Sequence, residues 1–570
     1  MKIAKDPGGI YQEYLNDIDY KTAMGFVSKW PELTNFIEGK QWPAPTEETK
    51  YLPRPVINVC DQTVENKRSN ILSQQLKMQF RLRELPEDEN DAMNDVAQDF
   101  SDMAENTWYN VDQDTLTEEM VNDAISIGNG ILFYYFDNDY VGGTKKKYKG
   151  KIEGESIDPM DIVYGNNRLK PYQVQKQPFI IIVRSRDADE VRKQAKKNGE
   201  GWELIEPDTN ADPDEKYTSA KVESKNSNEV KTFTKFWKEN GEVYWCEVTR
   251  TSTVNKPRPL APQIEGKPNE KFMLYPIVHT VLKRKRKCVY GRSLIEDIIP
   301  NQKALNWGMG MQLLSVQQTA WPKIIAKVGA LTQQITNVPG EVLEDNYQGG
   351  SDGFKYMQMP NTPNTVPALM QTILDMTRNV VGVTEVSTGE SIGANMAASA
   401  IIALQNQAQK PNDGYMQIVV QSIQAIGEIW EQFYKCFYTI DRTIKGKDED
   451  GNPVPKVFNG EKGRGIEFDL IVDVGPSSMF SESLQVSTLD SYAERQWIDK
   501  YQHAKYMPTS VLPQGLREEL DKEQELIKQQ AEEQAMNPQN PQINPQDMMS
   551  QLTPEEQQYL MENPQLMEGL

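Results

Sequence analysis

Residues 382–438 read GVTEVSTGESIGANMAASAIIALQNQAQKPNDGYMQIVVQSIQAIGEIWEQFYKCFY, and this stretch decides how the chain is interpreted. Glycine and hydroxyl residues dominate positions 383–394, and a long helical pattern follows, with an expected break at Pro411. One helical stripe carries the apolar side chains Met416, Val419, Val420, Ile423, Ile426, Trp430, Phe433 and Phe437. The stretch holds no catalytic motif. A long helix behind a flexible loop predicts a mechanical part instead of a chemical site.

The length and charge of the chain limit what it can do. Its 570 residues include 34 prolines and have a mean hydropathy of −0.66, which favours roughly two to four structural regions over one globule. The net charge is −21 and the pI is about 4.8. Tight DNA binding is therefore disfavoured, because it requires cations that replace counterions. An acidic wall past which DNA slides is compatible with this charge.

Cysteine and histidine usage disfavours two further classes of site. The four cysteines are scattered without a CxxC motif, and the chain has only two histidines, so we expect neither a disulfide framework nor a zinc site. The N-terminus lacks an apolar segment, and no run approaches the roughly 18 apolar residues of a membrane span. We expect a protein made in the cytosol, without a signal peptide or membrane helix.

Local patterns predict a mixed α+β chain. We expect a helix over 55–82 and mainly β structure over 131–290, with a hairpin turn at Asn240-Gly241. Helices at 291–320 and 366–381 enclose short strands predicted at 322–327, 340–345 and 353–359. A strand at 466–475 and a helical segment at 483–535 follow. The tail at 536–570, rich in Gln, Asn and Pro, is expected to be disordered.

Motifs of nucleotide and hydrolytic chemistry are missing from the sequence. It contains no GxxxxGK[ST], no GxSxG and no HExxH, and the GNG at 128–130 precedes a strand. Two aspartate pairs, Asp137/Asp139 and Asp158/Asp161, have the chemistry of a two-metal nuclease. Both lie in predicted turns, where aspartate is a preferred residue. We therefore expect no enzyme, no cofactor and no metal site.

The densest basic run is LKRKRK, at 282–287. On composition alone a solvated turn or strand edge is the favoured interpretation, and phosphate contact is the alternative. In a ring of identical copies each charge would repeat around a channel and meet DNA of any sequence through its phosphates. The loop at 383–394 also has two interpretations, a plain linker between helices or a mobile segment that touches passing cargo.

Six motifs, in order, resemble the portal protein family of tailed bacteriophages. They are RPVINVCDQTVENKRSNIL (54–72), DAISIGNGILFYYFD (123–137), GESIDPMDIV (154–163), YGRSLIEDIIPNQKALN (290–306), GVTEVSTGESIGANMAASAI (382–401) and FDLIVDVGPSS (468–478). Each motif is loose, whereas their order and spacing together are more specific. The resemblance covers about 50–535 and leaves the tail at 536–570 unassigned.

This resemblance implies an α+β portal fold with named regions. A wing would occupy 1–290, and a wing-return segment at 441–482 would bring the strand at 466–482 back to it. Stem helices at 291–320 and 364–382 would flank a clip at 321–363. A tunnel loop at 383–395, a long kinked wing helix at 396–440 and a helical crown at 483–535 would complete the chain.

The function implied by the resemblance is a ring, usually of twelve copies, at one capsid vertex. Double-stranded DNA would be packaged and ejected through it without sequence recognition. Implied partners are the terminase large subunit, a head–tail adaptor, and capsid and scaffolding proteins, with assembly in the host cytoplasm.

The predicted channel, DNA contacts and partner contacts each have candidate residues. The tunnel-loop candidates are Thr384, Ser387, Thr388, Gly389, Glu390, Ser391 and Asn395. The phosphate-contact candidates are Lys283, Arg284, Lys285, Arg286, Lys287, Lys323 and Lys327. The candidates for clip or partner contact are Gln333, Gln334, Asn337, Asn346 and Tyr347.

Two other functions compete with the portal. One is a DNA-processing enzyme, such as a metal-dependent nuclease or a terminase component, which the missing P-loop and the poor carboxylate spacing disfavour. The other is a different virion structural or scaffolding protein. The order helix, strands, helix over 291–382 favours a portal, because a scaffold would be more uniformly helical and charged.

Overall fold

The computed structural model describes residues 3–73, 76–83, 90–143, 147–208, 228–262, 270–320, 324–328, 353–356, 365–381, 398–447, 453–474 and 479–507, with positions 512, 516, 520 and 524. The chain divides into two compact units, Met1–Ser477 and Ser478–Leu570. The first unit mixes helices with antiparallel strands, and the described part of the second is helical. The predicted α+β class is confirmed.

The N-terminal part of the first unit contains several α-helices. They are α1 (Pro7–Ala23), α2 (Phe26–Ile37), α3 (Val59–Ile71), α4 (Asn90–Val111), α5 (Gln113–Ser126) and α6 (Ala188–Asn198). Side-chain caps define where several begin. The Asp6 carboxylate accepts from the Gly9 N–H in the first turn of α1, and the Asp187 carboxylate accepts from the Asp189 and Glu190 N–H groups in the first turn of α6.

The same part of the chain also contains strands. They are β1 (Leu76–Leu82), β2 (Gly130–Gly142), β3 (Tyr148–Ser156), β4 (Ile162–Tyr164), β5 (Phe179–Asp187), β6 (Glu229–Glu239), β7 (Glu242–Val248), β8 (Thr253–Pro259) and β9 (Ile277–Thr280). Two antiparallel sheets have the orders β3-β2-β9 and β4-β5-β6-β7-β8. Asn240 and Gly241 join β6 to β7 with φ angles of 50° and 82°. The predicted hairpin is therefore confirmed, since such turns require positive φ.

The helix predicted over 55–82 is wrong in its second half, because Leu76–Leu82 forms strand β1. Leu76, Met78, Phe80 and Leu82 alternate with polar residues, which is the strand period. The strand pairs antiparallel with β14 (Phe468–Val474), and Met78 lies opposite Val472. The strand receives its hydrogen bonds from a partner that is distant in sequence. The local sequence gives no sign of this partner and follows directly on the helical pattern of α3.

The middle of the chain forms a helix, two paired short strands and a second helix. These are α7 (Ile299–Ala320), β10 (Ile324–Ala326), β11 (Phe354–Tyr356) and α8 (Thr365–Val381). The expected start of α7 at 291 is wrong, because the helix begins at Ile299. The Ser293 hydroxyl donates to the Ile125 carbonyl oxygen and accepts from the Ile295 N–H, which holds the preceding segment in an irregular conformation.

The long helix predicted by the opening stretch is α9 (Ala398–Phe437). It continues through Pro411, so the break expected there is wrong. Proline removes one helical hydrogen bond, and tight packing of the following turns offsets this cost. Val419, Ile423, Ile426 and Trp430 are fully buried in the main core of the first unit.

Three strands and two helices complete the described chain. The strands are β12 (Arg442–Lys447), β13 (Pro453–Phe458) and β14, and β12 pairs with β13. In the main core, the Phe100 ring contacts Tyr434, Phe458 and Phe468, which joins α4, α9, β13 and β14. The second unit contains α10 (Met479–Glu494) and α11 (Lys500–Tyr506).

Candidate nucleic-acid interface

The basic run at 282–287 lies in a tight loop. Lys283 and Arg292 form an isolated antiparallel bridge, in which the Arg292 N–H donates to the Lys283 carbonyl oxygen at 2.9 Å. Arg286 and Lys287 form the turn of this loop, and Lys287 has a left-handed φ of 53°. The solvated turn that composition favours is therefore observed. The loop exposes Arg284, Arg286 and Lys287.

Carboxylates neutralise one end of this loop. Lys283 forms an ion pair with Asp297, which also receives a hydrogen bond of 2.6 Å from Arg292. Glu296 pairs with Lys29 and, at 3.5 Å, with Arg292. The Lys283 ammonium, and after it the Arg292 guanidinium, lowers the pKa of the Asp297 carboxyl. Lys283 already has an acidic partner, which makes it a weaker phosphate-contact candidate than its exposed neighbours.

Aromatic rings hold two other cations of the loop. The Lys285 ammonium lies 4.9 Å from the ring centre of Phe26 on α2. The Arg284 guanidinium lies 5.1 Å from the ring centre of Tyr172, and the Lys170 ammonium lies 5.7 Å from the same ring. Sequence reasoning missed Lys170 and Tyr172. The available signal was the segment RLKPY at 168–172, in which two basic residues precede a tyrosine.

A buried amide network fixes the base of α7. The Gln302 side chain accepts from the Val59 N–H at 3.0 Å and donates to the Ile57 carbonyl oxygen at 2.6 Å. Asn306, one turn later, donates to the Gln41 side chain at 2.6 Å. Buried amides that satisfy each other are costly to disrupt. The polar residues of this helix therefore anchor it to the N-terminal segment.

Helices α7 and α8 pack against each other along one side. Leu305 on α7 and Met370 on α8 share a small apolar cluster with Val59, and Leu374 packs against it. The Asn301 side chain donates to the Thr377 hydroxyl at 3.0 Å. Met370, Leu374 and Thr377 are spaced by four and three residues, so they lie on one face of α8.

A second apolar stripe of α8 faces away from the described chain. Leu369, Met376 and Val380 are spaced by seven and four residues and are 59%, 59% and 63% exposed. The end of α7 is exposed in the same way, with Met311 and Val316 on its surface. Exposing such apolar surfaces to water is unfavourable, so they are typical of contacts with another molecule.

Only the second of the two aspartate pairs lies in a turn. The turn predicted for Asp137 and Asp139 is wrong, because both lie within strand β2, which pairs with β3 and shifts register between Asp137 and Val141. The Asp137 carboxylate accepts from the Asp139 N–H at 3.0 Å, and the Asp158 carboxylate accepts from the Met160 N–H at 2.7 Å. Each bond is a local contact with the N–H two residues later, which aspartate side chains favour. Among the residues that the structure describes, no group of three His, Cys, Asp or Glu side chains could hold a metal ion.

Many of the candidate residues lie outside the described ranges. These are all the tunnel-loop candidates from Thr384 to Asn395, all the clip candidates from Gln333 to Tyr347, and Lys323. Lys327 follows β10, and its N–H donates to the Gly353 carbonyl oxygen at 2.8 Å beside β11. The structure therefore brings together Lys283 to Lys287 and leaves Lys327 on a separate element.

Comparison with known proteins identifies the family. A family model described as phage P22-like portal protein matches residues 31–564, which is nearly the whole chain. No curated protein sequence matches it. No helix in the described ranges is long and apolar enough to cross a membrane. The matched region contains both the basic loop and the α7–α8 pair, and the chain belongs to the phage P22-like portal protein family.

Proposed function

We propose that this portal protein forms the channel through which double-stranded DNA is packaged into the capsid and ejected from it. The family supports a homo-oligomeric ring at a capsid vertex and a structural role. The observation that carries the proposal is the exposed apolar stripe of α8, together with the exposed end of α7. Identical copies arranged in a ring would cover both surfaces.

The regions of the chain receive their roles within this proposal. The α7–α8 pair would be the stem, and the segment with β10 and β11 between them would be the clip at 321–363. Residues 1–290 would form the wing, and the pairing of β14 with β1 supports the return of 441–482 to it. The loop at 383–395 would be the tunnel loop, 396–440 the long wing helix and 483–535 the crown.

DNA would pass without sequence recognition. The net charge of −21 disfavours a wall that traps DNA, and the cations of the basic loop would meet phosphates, which carry no sequence information. The terminase large subunit and a head–tail adaptor would dock on the ring, which capsid and scaffolding proteins would join in the host cytoplasm. Gln333, Gln334, Asn337, Asn346 and Tyr347 are the proposed clip contacts.

Charged substitutions on the stem test the ring. In Val316→Asp/Met376→Asp, each carboxylate would have to be buried between copies, which costs several kcal/mol without a partner. We expect mass photometry to detect monomers or partial rings, with an unchanged circular dichroism spectrum. The wild type should form rings in negative-stain images, with a central opening wider than a DNA duplex.

A matched variant controls for surface charge. Leu204→Asp/Val457→Asp introduces the same two charges at apolar side chains that are 62% and 52% exposed on other elements. It should form complete rings. Intact rings from the stem variant, or a wild type that stays monomeric at micromolar concentration, would contradict the proposal.

A further inference from the structure

A patch of uncompensated positive charge joins two distant segments of the chain. It consists of Arg168, Lys170, Tyr172, Arg284, Arg286 and Lys287 and is called the Tyr172 patch below. The Val289 N–H donates to the Asn167 carbonyl oxygen at 3.0 Å, which fixes the basic loop against the 166–172 segment. Arg284 and Lys170 both approach the Tyr172 ring. The patch is therefore built by the fold from two segments and is larger than the basic run.

The charge of this patch differs from that of the neighbouring surface. All six side chains of the patch are exposed, and Tyr172 is 58% exposed. In the described ranges, none of its five cations forms an ion pair with a carboxylate, whereas Lys29, Lys283 and Arg292 share Glu296 and Asp297. A chain with net charge −21 thus keeps a local excess of positive charge, which attracts anions.

The composition of the patch favours a polyanion over a protein surface. The centres of protein interfaces are depleted of charged residues and need an apolar core. The Tyr172 patch has five cations and a single ring. Lysine, arginine and tyrosine side chains are common donors to the phosphates of DNA. The guanidinium groups of Arg168, Arg284 and Arg286 can each donate two hydrogen bonds to one phosphate.

We propose that the Tyr172 patch binds the phosphate backbone of double-stranded DNA without sequence preference. The inference rests on the proposed function, in which DNA is the cargo. Tyr172 would hold Lys170 and Arg284 over its ring, so that both cations are positioned before DNA arrives. The patch would contact DNA in addition to any contact made by the tunnel loop.

Salt-dependent binding tests the patch in the full-length ring. The variant Lys170→Gln/Arg284→Gln/Lys287→Gln removes three unpaired cations. Fluorescence anisotropy with two labelled duplexes of unrelated sequence gives the slope of log K against log [KCl]. Each lost phosphate contact lowers the magnitude of this slope by about 0.9, so we expect a decrease of about 2 to 3 for both duplexes.

The control removes the same charge elsewhere. Lys40→Gln/Lys50→Gln/Lys256→Gln replaces three lysines that pair with Glu38, Glu47 and Glu200, and its slope should equal that of the wild type. Equal slopes in all three proteins would overturn the inference. The proposed function would still stand in that case if the wild type forms rings normally. Loss of rings in the patch variant alone would also overturn it, because the patch would then be a contact between copies.

Discussion

The Asp123 carboxyl, near the end of α5, has an unusual environment for an acid. Burial, followed by the nearby charges of Asp158 and Glu119, raises its pKa from 3.8 to about 7, and the Ser156 hydroxyl lowers it only in part. The folded protein therefore holds this group protonated at acidic pH. The unfolded chain ionises it above about pH 4.

Replacing this acid should make stability less dependent on pH. A raised pKa stabilises the fold below about pH 4, and this contribution is lost as pH rises through about 7. Asp123→Asn should therefore exceed the wild type in free energy of unfolding at pH 8, by on the order of 4 kcal/mol, and match it near pH 4. Urea unfolding at both values measures the difference. An equal difference at the two pH values would contradict this origin.

Single residues of the candidate site were predicted unevenly. LKRKRK was visible as a basic turn because charge density is a local property of the sequence. The partner Asp297 lies 14 residues after Lys283, and Tyr172 is more than a hundred positions before Arg284. Which cations are neutralised depends on contacts made by the folded chain, and the sequence pattern holds no information about them.

At the scale of elements, the backbone of the segment after β13 packs unusually close to the backbone at the end of α9. A Cβ atom on Gly460 would lie 2.0 Å from the Tyr434 carbonyl oxygen, which is backbone and cannot move aside cheaply. The Gly460 N–H donates to the Tyr438 carbonyl oxygen at 2.9 Å. Gly460 is therefore the residue that allows this segment to close the end of α9.

Two glycine substitutions should have opposite effects. Gly460→Ala should lower the free energy of unfolding by about 3 kcal/mol, because overpacking forces the backbone apart. Gly414→Ala, on an exposed turn of α9 with open space around it, should raise it by about 0.5 to 1 kcal/mol, since alanine favours a helix. Denaturant unfolding measures both. A neutral Gly460→Ala would show that the contact relaxes freely.

Elements with local signals were predicted well, and elements with distant partners were not. The β6–β7 hairpin and α8 follow from turn chemistry and from helical periodicity. Strand β1 was missed because β14 pairs with it from far along the chain, where Arg83 bonds Asp469 across 386 positions. The true start of α7 was missed because Ser293 bonds to α5 instead of capping the helix.

At the scale of the whole molecule, charge opposes association. Every copy carries −21, and the repulsion among copies in a ring is screened by salt. Apolar stripes such as that of α8 do not weaken in salt.

Ring formation should therefore increase with ionic strength. When KCl is raised from about 50 to about 500 mM, the Debye length falls below roughly 5 Å. We expect mass photometry to show a larger fraction of complete rings at the higher concentration. A KCl series at fixed protein concentration separates this effect from mass action. Rings that dissociate as KCl rises would show instead that ion pairs between copies hold the assembly.

The four cysteines have a practical consequence for this protein. Cys60, Cys246, Cys288 and Cys436 are all buried, and burial raises the pKa of Cys60, Cys246 and Cys436 to about 12. Thiol reagents react with exposed thiolates, so we expect the native chain to react very slowly with maleimide dyes. One cysteine introduced on the surface would be the single labelling point of each copy, and fluorophores placed there would report distances around the assembly without any native thiol being removed.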